Sequence, residues 1–218
     1  MQKILVIAPH PDDEVLGCGG TIAKYANNGD EVHLCIATKA YVPDWSEETI
    51  INDAKEIADS TKILGVKETY VLNFPVVKLD TIPQKDINHA ISKIIKEIDP
   101  DVVFVPFKGD LNNDHKIIFE SCLVALRPMD NRNRKILVYE TLSETEWGYA
   151  EQFVPNFYVD ISETLNKKID AMKAYAKEIK EYPHPRSIEI IEALAKKRGS
   201  EVCLKYAEAF CLIREVER

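Results

Sequence analysis

Five short, almost unbroken apolar runs alternate with stretches of helical spacing over the first two-thirds of this chain, which leaves few folds open. The first run, Lys3–Ala8 (KILVIA), lacks the polar alternation of a half-exposed strand and reads as a strand covered on both faces. Residues 15–28 then carry helical spacing (Leu16, Ile22, Ala23, Ala26) and stop at Asn27-Asn28-Gly29, a C-terminal stop signal. A β-rich run at 31–38 precedes a helix over 47–64 closed by Gly65, and a third strand follows at 68–73. Residues 83–98 read as a helix with Pro83 at a tolerated N-terminal position. A strand at 101–107, a helix at 115–126 and a strand at 136–140 complete the series.

This order predicts an α/β, Rossmann-like fold: a mostly parallel sheet of about five to six strands, joined by right-handed crossovers, with helices on both faces. The C-terminal third reads differently. A strand at 157–161 and a long helix at 162–181 are followed by the break Pro183-His184-Pro185-Arg186-Ser187, a helix to about Arg198 and a short apolar tail after Gly199. With no repeat or low-complexity linker, the whole of 1–218 is expected to be one domain, a core at 1–145 carrying a helical C-terminal extension at 146–218. A chain of 218 residues can bury its core without staples.

The chemistry concentrates where the first strand ends. Residues 8–14 read Ala-Pro-His-Pro-Asp-Asp-Glu, so one imidazole and three carboxylates crowd five positions. Ligands bind outside the carboxyl ends of strands in open α/β sheets, and a mononucleotide-type strand order would make the first and fourth strands neighbours. The loop after the fourth strand is Lys108-Gly109-Asp110-Leu111-Asn112-Asn113-Asp114-His115. Together His10, Asp13 and His115 form a two-histidine, one-carboxylate set suited to a catalytic zinc, or another divalent transition metal, with a position left for water. Asp12 is left free to take a proton from that water, and Asp110 and Asp114 are placed to orient the imidazoles.

Plainer readings exist for each residue. His10 alone would be a structural histidine, and Asp12, Asp13 and Glu14 could simply cap and favour the start of the first helix. Three adjacent carboxylates without a cation would repel one another, which favours the metal. Gly17-Cys18-Gly19-Gly20 falls short of a phosphate-binding motif and is read as permitting close packing. His33 and His89, inside a strand and a helix, are read as structural. His184 is either part of a surface turn or an acid folded over the metal, with Arg186 as an anion contact. Trp45, Trp147 and Tyr149 line either a substrate mouth or a subunit contact, leaving a homo-oligomer open.

The formal charge of −8 argues against a nucleic-acid surface or a basic membrane patch. No apolar run approaches a membrane span, the opening residues do not resemble a leader, and five scattered cysteines suit a reducing compartment. The expectation is a cytoplasmic protein with a small-molecule substrate.

The His10-Pro11-Asp12-Asp13-Glu14 element, its Gly-rich helix start and the later Asp114-His115 resemble the PIG-L/LmbE-like zinc deacetylases. Lys62-Ile63-Leu64-Gly65-Val66, His184-Pro185-Arg186-Ser187, Arg198-Gly199 and Ala207-Glu208-Ala209-Phe210 extend the resemblance over most of the chain. It implies a Rossmann-like fold, zinc on His10, Asp13 and His115, Asp12 as general base, and removal of an N-acetyl group from an N-acetylglucosamine conjugate such as a glycoside or sugar nucleotide. Two positions depart from the family pattern. Asn112-Asn113-Asp114-His115 replaces His-Pro-Asp-His, so Asn112 can donate to an oxyanion but cannot deliver a proton, which falls to Asp12 or His184. Asp53-Ala54-Lys55-Glu56 replaces an Arg-x-x-Glu whose arginine meets substrate, so that contact is lost or passes to Lys55 or Arg186. Two rivals remain: an amidase acting on a larger acyl or thiol conjugate, and a non-catalytic Rossmann-like nucleotide-binding module.

Overall fold

The computed structural model describes residues 1–129, 133–149 and 151–217. In chain order, β1 (Lys3–Ala8), α1 (Asp13–Asn27), β2 (Glu31–Lys39), α2 (Glu47–Leu64) and β3 (Glu68–Pro75) form the first half of the sheet. A turn of 3-10 helix at Leu79–Thr81 leads into α3 (Gln84–Ile98), β4 (Val102–Pro106), α4 (Asn113–Ala125) and β5 (Lys135–Tyr139). The chain closes with β6 (Phe157–Asp160), α5 (Leu165–Ala174), α6 (Ile188–Ser200) and β7 (Ala207–Arg214). The sheet order is β3-β2-β1-β4-β5-β7-β6. The first five strands run parallel, and β7 enters antiparallel between β5 and β6.

The α/β, Rossmann-like architecture is as expected, with a seventh strand where a short tail was read. That tail, β7, completes the sheet because Ala207, Ala209 and Phe210 find buried places beside β5 and β6. The long helix expected over 162–181 is the other difference. It runs only from Leu165 to Ala174, because the chain turns at Tyr175 and carries that ring inward.

Both faces of the central strands are dry, which explains their unbroken apolar runs. Ile4, Val6 and Ala8 of β1 face one core with α1 and α5, while Leu5 and Ile7 face the other with α3 and α4. Burying one such side chain stabilises by about 1.5–3 kcal/mol, so a one-residue slip of β1 would misplace a whole layer. The register pairs Ile4 with Val102 and Val6 with Phe104, which brings the loops after β1 and β4 side by side.

Candidate metal centre and active site

The two loops meet as the strand order requires. Asp13 opens α1 two residues earlier than the periodicity predicts, and α4 likewise begins at Asn113, with Asn112 Oδ1 capping it through the backbone N–H of Asp114 (3.0 Å). Asp13, with 1% of its surface exposed, lies within the first turn of α1, where the helix end favours an anion. Asp12 does not cap α1 through its side chain. It holds φ +97°, a region few non-glycine residues adopt, and its backbone N–H donates to Glu14 Oε2 (3.0 Å). Glu14, in turn, accepts from the Tyr175 hydroxyl (2.7 Å) through its other oxygen. A strained residue next to the cluster is thus clamped by a buried carboxylate, rather than Glu14 merely favouring the helix start.

His10 Nδ1 and His115 Nε2 each lie 3.2 Å from Asp13 Oδ2. The opposite nitrogens are taken: His10 Nε2 contacts Asp114 Oδ2 at 3.0 Å, and His115 Nδ1 contacts Asp110 Oδ2 at 2.7 Å. These carboxylates fix which nitrogen of each ring faces inward. His115 is fully buried, and its inward Nε2 faces the Asp13 carboxylate. Once its proton is displaced, that nitrogen would offer a lone pair to a cation. The ligand atoms of His10, Asp13 and His115 all lie within 4.8 Å of one another. These residues fit a divalent metal.

The electrostatics agree with the geometry. Burial works against charged imidazoles, yet Asp114 and Asp13 push His10 up to about 9, and Asp13 and Asp110 push His115 up to about 10. Burial also opposes ionisation of Asp13, but the two histidines outweigh it and hold the carboxyl far below the ordinary range. Without metal the cluster therefore holds protons that a cation displaces. Burial raises Asp12 well above the ordinary carboxylate range, with Arg186 opposing the rise. Glu14 is pushed up by burial to about 7, against its Tyr175 hydrogen bond.

A cavity of about 690 Å3 opens beside His10 and Asp12, within the size range of small-molecule sites. Trp45, Asn112 and Arg186 line it, so these sequence-derived candidates converge. Arg186 Nη1 donates to Asp12 Oδ2 and Glu178 Oε2, both at 2.7 Å, and its Nε donates to Ser143 Oγ at 2.7 Å. Its guanidinium therefore sits on Asp12 rather than standing free as an anion contact. Asn112 Nδ2 makes no hydrogen bond among the described residues, which leaves its donors for the cavity.

Three candidates, Lys55, His184 and Tyr149, are not brought in. Lys55 lies on the exposed side of α2, and Asp53 and Glu56 line the cavity instead, because the helical period turns position 55 outward. His184 does not line the cavity: its Nδ1 accepts from the Arg186 backbone N–H (3.1 Å) and its ring stands edge-on to Trp147, 6.0 Å away. Tyr149 is fully exposed and likewise off the cavity. Sequence reasoning missed the loop after β5, where Glu144 Oε2 accepts from the Asn112 N–H (3.0 Å) and Thr145 Oγ1 donates to Asp110 Oδ1 (2.5 Å). Its position at the carboxyl end of a strand beside β4 was the available signal. Tyr175 and Glu178, read as parts of a helix, carried none.

Residues 5–126 match the family model described as PIG-L, GlcNAc-PI de-N-acetylase. The diacetylchitobiose deacetylase of Thermococcus kodakarensis is 28% identical over 193 residues, covering 83% of this chain and 72% of that protein. The uncharacterized deacetylase YaiS of Escherichia coli is 30% identical over 180 residues, covering 80% of this chain and 90% of its own length. Among solved structures, N,N'-diacetylchitobiose deacetylase from Pyrococcus horikoshii superposes with a TM-score of 0.78 at 26% identity, covering 97% of this chain and 84% of that one.

Proposed function

Because the chain belongs to the PIG-L family of de-N-acetylases, we propose that it is a zinc-dependent hydrolase that removes the acetyl group from an N-acetylated amino sugar or its conjugate. One observation carries this reading: two inward imidazole nitrogens converge on Asp13, next to a buried second carboxylate at the wall of a ligand-sized cavity. His10, Asp13 and His115 would hold the cation, which when bound supplies a water of lowered pKa and a Lewis acid for the amide carbonyl.

The chain's own residues divide the remaining work. Asp12 takes the proton of the attacking water and returns it to the departing amine. It does both because Asn112 has no proton to give and His184 lies away from the cavity. The clamp through Glu14 and the guanidinium of Arg186 fix where the Asp12 carboxylate points, and the Arg186 charge favours its ionised form against burial. Asn112 Nδ2 donates to the amide oxygen as charge develops there; one such donor is worth about 2.7–4 kcal/mol. The C–N bond breaks, and acetate and a free amine leave. The whole chain acts as one catalytic unit, since the C-terminal third supplies Arg186 and two strands of the sheet. No described helix is long and apolar enough to cross a membrane, and all five cysteines are unpaired, which supports a cytoplasmic setting.

Acetate release from a panel of N-acetylglucosamine glycosides, with and without added zinc, tests this directly. Asp12→Ala should lower kcat about 10²–10⁴-fold while bound zinc stays at the wild-type level. Near-wild-type turnover of that variant overturns the mechanism.

A further inference from the structure

We propose that the α2 wall of the cavity selects substrates carrying an ammonium group beyond the acetamide, with Asp53 and Glu56 as the specificity-determining residues. The inference rests on the deacetylase reading and narrows its substrate class to a partly de-N-acetylated amino-sugar oligomer.

Asp53 and Glu56 are three apart on α2 and so share a face, and both line the cavity. Neither makes an ion pair or a hydrogen bond among the described residues. The cavity's cations are otherwise engaged: Arg186 is tied to Asp12 and Glu178, and Lys39 extends over the Tyr41 ring. Lys177 acts on Asp53 and Glu56 through its charge but forms no ion pair with either. Glu178, half-exposed, adds a third negative charge near the same wall.

That the cavity receives a ligand does not depend on these carboxylates. Its lining also includes His10 and Asp12 of the candidate metal centre. A substrate reaching from that centre toward α2 meets unpaired acceptors. An ammonium there makes charge-assisted hydrogen bonds, while a phosphate or carboxylate is repelled.

The test compares kcat/KM of the zinc-loaded protein at low salt on both mono-N-acetylchitobiose isomers, N,N'-diacetylchitobiose and N-acetylglucosamine 1-phosphate. The better mono-acetylated isomer should exceed the diacetylated sugar by about tenfold, mainly through KM, with the phosphate slowest. The double variant Asp53→Asn, Glu56→Gln should bring the first ratio to about one, and Asp53→Arg should raise the phosphate relative to both sugars. A flat ratio in the wild type, or an unchanged ratio in the double variant, overturns the proposal. Calorimetry with fully de-N-acetylated chitobiose gives a readout independent of turnover. If no substrate releases acetate, the deacetylase reading fails, yet diamine binding that weakens in the double variant still supports the ammonium-selecting wall. Diamine binding that is absent or unchanged in that variant overturns it.

Discussion

Two buried ionic clusters touch helix α1, and they are built in opposite ways. At its middle, Glu208 accepts from the backbone N–H groups of Gly20 (3.0 Å) and Thr21 (2.7 Å), while Lys168 Nζ donates to Glu208 (2.5 Å) and to the Leu16 carbonyl (2.8 Å). At its N-terminus, Asp13 faces two imidazoles and one buried nitrogen is left over. Both clusters are nearly solvent-free, so burial of charge does not separate them. Completeness does. The ammonium and carboxylate of the central cluster satisfy each other and the backbone, leaving nothing for a ligand. The terminal cluster instead gathers two imidazoles and a carboxylate whose ligand atoms lie within 4.8 Å of one another beside a cavity, a donor set that suits a divalent cation.

The comparison can be broken by experiment. The largest effect is expected at the terminal cluster, where His115→Ala should reduce bound zinc, read by metal analysis of the purified protein, from one equivalent to near none. Zinc should stabilise the wild type against denaturant by about 4.1 kcal/mol at a thousand times its Kd, and should leave this variant unaffected. Retained stoichiometry would remove His115 as a ligand. At the central cluster, Lys168→Met leaves Glu208 buried and unpaired and should cost about 3–5 kcal/mol in urea unfolding, with zinc content unchanged. Adding Glu208→Leu should recover part of that loss; zinc loss in either variant would show that the clusters are coupled.

Smaller changes sharpen the contrast. Asp110→Asn keeps the shape beside His115 Nδ1 but weakens its hold on the ring, and should lower zinc affinity about 10–100-fold in a competition titration. Tyr175→Phe removes one bond to Glu14 and should cost about 1 kcal/mol of stability. It should also lower kcat more than it changes zinc affinity, because Glu14 holds Asp12 rather than a ligand.

Much of this was legible in the residue order. The apolar runs marked the strands because β1, β2, β4 and β5 are buried on both faces, and the paired loops after β1 and β4 followed from that topology. The glycines at 17, 19 and 20 were read as packing devices, and a Cβ on Gly20 would lie 2.8 Å from Ile161. Helix ends were less legible. Asp13 and Asn113 begin their helices early because tertiary partners satisfy residues that local spacing treats as loop.

By itself, then, the sequence determined the layers of the sheet and the local pairing of ligand types with strand ends, because periodicity and turn chemistry act over a few residues. Only the tertiary structure decided that Arg186 lands on Asp12, 174 positions away, and that Tyr175 secures Glu14. The Tyr175 contact depends on where α5 stops, just as the sheet depends on β7 entering between β5 and β6. Both are set by long-range packing, which no local pattern encodes.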